Sequence, residues 1–183
     1  MRNTPARRAV AALCLALLSG AAAHAHVVLE TPEAKTGAGY KAVFRVPHGC
    51  DGSATVEIKI ELPEGVIAVK PMPKPGWTIE IAKGPYARTY AFYHGMKLSE
   101  GVRQVTWRGG PLPDAYYDEF VLNTFIAGEL KPDTKLVFPV TQRCEKGELH
   151  WSEVPKEGED AHALEHPAPQ LLLQADPHAH HHH

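Results

Sequence analysis

The stretch GAAAHAHVVLE, residues 20–30, holds two histidines, His24 and His26, at the place where small residues give way to an apolar, β-prone run. A histidine at the N-terminus of a chain offers a metal two nitrogens from one residue, its α-amine and its ring Nδ1, which close a six-membered chelate. Nitrogen and carboxylate donors in a tetragonal plane suit Cu(II), which heads the divalent affinity order. Both nitrogens must first lose their protons, so binding weakens as pH falls below the α-amine and imidazole pKa values, about 7.7–8.0 and ~6.5 in small peptides.

That chemistry needs a cut that exposes the histidine. Residues 1–25 have the layout of a secretory signal peptide: Arg2, Arg7 and Arg8 form a basic start, AVAALCLALL is a short apolar run, and Ala23-His24-Ala25 is a small-x-small cleavage signal. Cleavage after Ala25 makes His26 the first residue. A rival cut after Ala23 starts the chain at His24-Ala25-His26, an X-X-His terminus in which the amine, two deprotonated amides and the third-residue imidazole wrap a square-planar Cu(II). The two cuts predict different copper sites from one stretch.

The rest of the chain must place partners around that terminus. The formal charge is −2 and becomes −5 once the three signal arginines leave, which gives no reason to expect nucleic acid as a partner. No run after residue 25 is long and apolar enough for a membrane helix. Cys14 leaves with the signal, so Cys50 and Cys144 remain as a pair suited to a disulfide in an oxidising compartment. By the chain-entropy relation, closing so long a loop contributes about 4 kcal/mol. A thiolate copper site is the alternative use of the pair, and it would need both sulfurs reduced.

Period-two alternation predicts many short strands. ATVEIKIEL sets Ala54, Val56, Ile58 and Ile60 on one face and Thr55, Glu57, Lys59 and Glu61 on a solvated one. YKAVFRV, WTIEIA, ARTYAFY, RQVTW, EFVLNTFI, KLVFPV and ELHW read alike, separated by turn-rich PHGCDGS, PMPKPG and GGPLPDA. With no amphipathic helix among them, these strands predict one all-β domain over residues 26–154, an immunoglobulin-like antiparallel β-sandwich with no second domain or internal repeat. Residues 155–183, rich in Pro, Glu, Ala and His and without strand or helix period, predict a disordered His-rich tail.

Other histidines have weaker credentials. His48 in VPHGC reads as a turn residue beside Cys50, and His94 and His150 as surface or hydrogen-bonded positions. HALEH, residues 162–166, matches an H-x-x-E-H zinc motif. It stands in a low-complexity stretch stopped by Pro167, where no walled helix forms. His162, His166, His178 and His180–His183 read instead as a loose metal-binding tract, whose last four histidines match an expression tag as well as a native tail.

HVVLETPEAKTGAGYKAVFRVPHGCDGSATVEIKIELPEGV, KPGW, VTWRGGPLPDAYYDEF and LVFPVTQRCEKGELHW, taken in order, resemble the YcnI-like family of exported copper-binding proteins. The resemblance implies a β-sandwich whose processed chain opens with histidine and holds copper through a one-histidine brace, a carboxylate and an adjacent tryptophan. Carried over position by position, it implies His26 as the brace, Glu119 as the carboxylate and Trp151 as the residue covering the metal. Without it, Glu119 would be a solvated charge beside Asp118, and Trp151 a core residue alternating with Leu149. Trp77 and Trp107 fit their strands as core.

The sequence therefore predicts a periplasmic protein that takes up one Cu(II) for storage, sequestration or delivery, without catalytic turnover. The resemblance implies exported copper chaperones or a membrane copper transporter as partners. A copper oxidase or monooxygenase is the rival reading, though it calls for a second histidine and an open coordination position. A structural sandwich with incidental metal binding is the third.

Overall fold

The computed structural model describes residues 26–156, 158–159 and 163–175; the expected signal segment 1–25, His162 and the closing histidine run lie outside the described residues. The strands are β1 (Val28–Leu29), β2 (Glu33–Lys35), β3 (Ala38–Val46), β4 (Thr55–Glu61), β5 (Val66–Pro71), β6 (Trp77–Ala91), β7 (Lys97–Leu112), β8 (Asp118–Ile126), β9 (Lys135–Val137), β10 (Val140–Cys144), β11 (Glu148–Trp151) and β12 (Gln170–Gln174). One 3₁₀ turn, Tyr93–Gly95, joins β6 to β7. Among the described residues no helix is long and apolar enough to cross a membrane.

A four-stranded sheet in the order β1-β3-β8-β5 faces a five-stranded sheet in the order β11-β10-β4-β7-β6. Alternation decides what lies between them. Ala42, Phe44 and Val46 on β3 and Phe120, Leu122 and Ile126 on β8 point inward, against Ile58 and Ile60 on β4 and Val105 and Trp107 on β7, all fully buried. The predicted antiparallel sandwich is therefore the observed fold. Trp107 belongs to its core, and Trp77 packs on the core from a half-buried position.

Several boundaries depart from the expected ones. WTIEIA and ARTYAFY are parts of one strand, β6, which runs on through irregular pairing at Ala82/Lys83 and Pro85/Tyr90. KLVFPV is two strands, because Pro139 has no N–H to continue a ladder and the chain changes partners there, from β12 to β4. Glu57, expected on the solvated face, is buried and ion-paired with Arg108 and Arg143. A shift in register between Thr55 and Glu57 takes this end of β4 out of simple alternation.

The larger correction concerns the tail. β12, expected in the disordered segment 155–183, runs parallel to β2 and antiparallel to β9. Its Leu171 and Leu173 are fully buried in the main core. Burying a leucine contributes about 1.5–3 kcal/mol, enough to hold a short strand that shows no period of its own. The Cys50–Cys144 disulfide is present and ties the loop after β3 to the end of β10.

Candidate metal centre

Trp151 ends β11 opposite Val140, and its indole is buried. The indole N–H donates to Gln142 Oε1 at 3.0 Å. The Gln142 amide nitrogen in turn donates to the His48 carbonyl at 2.6 Å and to Thr55 Oγ1 at 2.8 Å. Gln142 is itself fully buried, so these bonds fix both its rotamer and the indole's orientation. The glutamine and the tryptophan both belong to the LVFPVTQRCEKGELHW segment of the resemblance, and their hydrogen bond joins the middle of that segment to its end.

Three imidazoles surround the indole. The His26 ring lies 5.9 Å away between centroids, tilted by 56°. His48 meets it edge-on at 6.4 Å, and His166 edge-on at 5.2 Å. His26 directly precedes the buried Val27, which anchors the chain where it enters β1. His48 Nδ1 lies 2.5 Å from the Gly49 carbonyl. A carbonyl can only accept, so Nδ1 is the donor in this contact.

Glu119 comes to the same end of the molecule on a different strand. It pairs with Arg45 on β3, and Arg45 pairs with Val28 on β1. Two strand spacings put the Glu119 and Val28 backbones roughly 10 Å apart. Alternation turns Glu119 away from the core face of Phe120 and Leu122, as the sequence predicts. Asp118 is committed, because it pairs with Lys74 at 2.6 Å and accepts the Glu119 N–H at 2.8 Å. Lys74 also donates to the Glu119 carbonyl at 3.1 Å. The Glu119 carboxylate makes no hydrogen bond or ion pair among the described residues.

The structure thus brings His26 against Trp151 and sets Glu119 at the same end of the neighbouring sheet. Among the described residues no three His, Cys, Asp or Glu side chains stand close enough to hold one ion together, so the three imidazoles surround the indole and do not converge. A brace needs only one histidine and one carboxylate.

His48 and His166, read in the sequence as a turn residue and part of a loose tract, are both neighbours of Trp151. His166 is fixed from both sides: Ser152 and Glu153 donate their N–H groups to its carbonyl at 3.0 and 3.1 Å, and its own N–H donates to Glu153 Oε2 at 2.7 Å. Its Nδ1 is buried with no hydrogen-bond partner among the described residues. His48 lies just past β3, whose last residue, Val46, pairs with Asp118, and no sequence signal marks it for this position. His94 is exposed, and His150 pairs on the surface with Glu148 at 3.0 Å.

Fold and site define an immunoglobulin-like β-sandwich with a histidine-lined tryptophan at one end. Residues 26–173 match the family described as "Domain of unknown function (DUF1775)", the YcnI-like domain, and the chain belongs to that family. It is similar in fold to an uncharacterized protein from Nocardia farcinica with an immunoglobulin-like fold, at 24% identity and a TM-score of 0.61, covering 81% of this chain and 98% of the other. Weaker likenesses are to the sixth cohesin of Acetivibrio cellulolyticus scaffoldin B, at 8% identity and a TM-score of 0.42 over 81% and 98% of the two chains, and to a cohesin module of a Clostridium perfringens family 33 glycoside hydrolase, at 10% and 0.41 over 82% and 97%. No curated protein matches the chain.

Proposed function

We propose that this chain, exported and cut after Ala25, binds one Cu(II) in the periplasm through the amine and imidazole of His26 and the carboxylate of Glu119, with Trp151 covering the metal. Copper is cargo here, held for storage, sequestration or delivery to an exported chaperone or a membrane transporter, and no turnover takes place. The observation that carries this reading is the His26 imidazole lying against the buried indole at the first residue of the domain. The uncommitted Glu119 carboxylate supports it, as does a disulfide suited to an oxidising compartment.

The residues divide the work by their chemistry. His26 supplies two nitrogens once both have lost their protons, and Glu119 neutralises part of the charge. Trp151, fixed through Gln142, presents an aromatic ring that attracts a cation and excludes water on that side.

The test is a Cu(II) titration of a chain running from His26 to Ala175, which keeps β12 and omits the histidine run, followed by electron paramagnetic resonance. The expected result is one equivalent with a nitrogen-rich tetragonal spectrum. His26→Ala removes that spectrum, and Glu119→Gln weakens binding while leaving the nitrogen coupling in place. An unchanged one-equivalent site in His26→Ala would end the proposal.

A further inference from the structure

The β6–β7 arm folds over the outer face of the four-stranded sheet and closes a second, smaller apolar cluster there, made of Ile67, Tyr86, Tyr90, Phe125 and Ala127. Packing under the arm is incomplete, and a cavity of about 450 Å³ remains between the arm and β5 and β8. Its apolar wall is aromatic: Phe125 meets Phe92 edge-on at 5.2 Å and Tyr93 at 4.9 Å. That size and lining are typical of small-molecule sites, which add a few convergent polar groups to an apolar enclosure.

Some polar groups beside the cavity are unspent, though Thr124 donates to the Tyr40 carbonyl at 2.8 Å. Tyr86 is buried to all but 7%, and its hydroxyl has no hydrogen-bond partner among the described residues. The weak influence of the Ala68 backbone on it falls short of hydrogen-bond geometry. A buried hydroxyl without a partner costs about 1–3 kcal/mol, a cost the fold carries beneath the wall of the cavity. Glycine at 101 makes room for it, since a Cβ there would lie 1.8 Å from the Tyr86 oxygen. Burial pushes the phenol's pKa up, with Arg103 opposing, so at neutral pH the group is a donor.

Lys70 and Lys83 also line the cavity. Neither takes part in an ion pair among the described residues, whereas Lys74, Arg103, Arg108 and Arg143 all do. Glu100 is the one lining carboxylate, which leaves the cavity a single net positive charge.

We infer that this cavity binds a small carboxylate with an aromatic or apolar body, the carboxylate between Lys70 and Lys83 and the body against Phe92, Tyr93 and Phe125. One net positive charge favours a monoanion over a dianion. The site is separate from the His26–Trp151 end and does not depend on copper.

The experiment follows backbone amide shifts of the full processed chain, without copper, as phenylacetate is added, beside neutral phenylacetamide and plain acetate. Phenylacetate is expected to give saturable shifts at Tyr93, Gly101 and Phe125, with phenylacetamide and acetate each weaker by roughly tenfold or more, about 1.4 kcal/mol. The double variant Lys70→Gln/Lys83→Gln should weaken phenylacetate while leaving the spectrum of the unliganded fold in place. Three results overturn the inference: no saturable shift under the arm, equal response to phenylacetamide, or shifts confined to the His26–Trp151 end. Because no copper is present, failure here is distinguishable from failure of the copper reading.

Discussion

The core between the sheets and the cluster under the β6–β7 arm are built from similar residues and finished differently. Between the sheets, the buried indole of Trp151 spends its N–H on Gln142, and Gln142 spends its amide on His48 and Thr55. Under the arm, Tyr90 donates to Glu64 at 2.8 Å, but the neighbouring Tyr86 hydroxyl has no partner and a cavity stands beside it. Around the indole the tryptophan and glutamine groups are paired, although the adjoining His166 Nδ1 is buried with no partner among the described residues; under the arm a tyrosine hydroxyl is left the same way beside a cavity. An opening with unspent polar groups is stability left unused, and such openings are where ligands gain most.

That contrast can be broken most forcefully from the main core. Leu173→Ala should cost about 3 kcal/mol in urea unfolding, within the usual range for buried leucines. A loss below about 0.5 kcal/mol would mean that β12 is not part of the cooperative fold.

Alkaline pH tests both regions together. Tyr40 in the core and Tyr90 under the arm both have pKa values raised from 10.0 to about 12, chiefly by burial. Between those values the unfolded chain gives up the proton that the folded chain keeps. Stability should therefore be intact below pH 10 and fall as pH rises toward 12, by at most about 1.4 kcal/mol per pH unit for each group. Phenol absorbance near 295 nm should show the two late titrations directly, and their loss in Tyr40→Phe and Tyr90→Phe would assign them.

The smallest effects sharpen the contrast most. Tyr90→Phe removes a hydrogen bond to a carboxylate and should cost about 1.5 kcal/mol. Tyr86→Phe, one strand turn away, should be neutral or slightly stabilising, because the deleted hydroxyl bonds to nothing among the described residues. Equal losses in urea unfolding would show that Tyr86 is satisfied after all.

How far the sequence could be read depended on how regular each element is. EFVLNTFI became β8 with Phe120, Leu122 and Ile126 facing the core as predicted, although Thr124 shares that face and Val121 and Phe125 on the opposite face are buried as well. VIAVKP was invisible as a strand: Ala68 has a positive φ of 52°, and the pairing jumps from Ile67 to Lys70, so no period survives. QLLLQ hid for the opposite reason, since three leucines in a row carry no alternation even though Leu171 and Leu173 face the core.

The site divides in the same way. The family resemblance, and no local period, singled out His26, Glu119 and Trp151, and the structure sets His26 against Trp151. His48 and His166 meet the indole only through tertiary packing, and no local pattern announces that. The cavity under the arm was equally silent, because its walls come from β5, β8 and a hairpin that looks in the sequence like two ordinary strands.

The central claim is that a processed His26 terminus makes a copper site, and one added residue tests it most directly. Two chains ending at Ala175 would be titrated with Cu(II) side by side, one beginning at His26 and one with a single glycine ahead of it, with the copper spectrum followed. Every side chain is the same in both, and only the position of the amine differs. The account predicts one tightly bound equivalent in the first chain and loss of that site in the second. Identical binding and identical spectra in the two chains would contradict it.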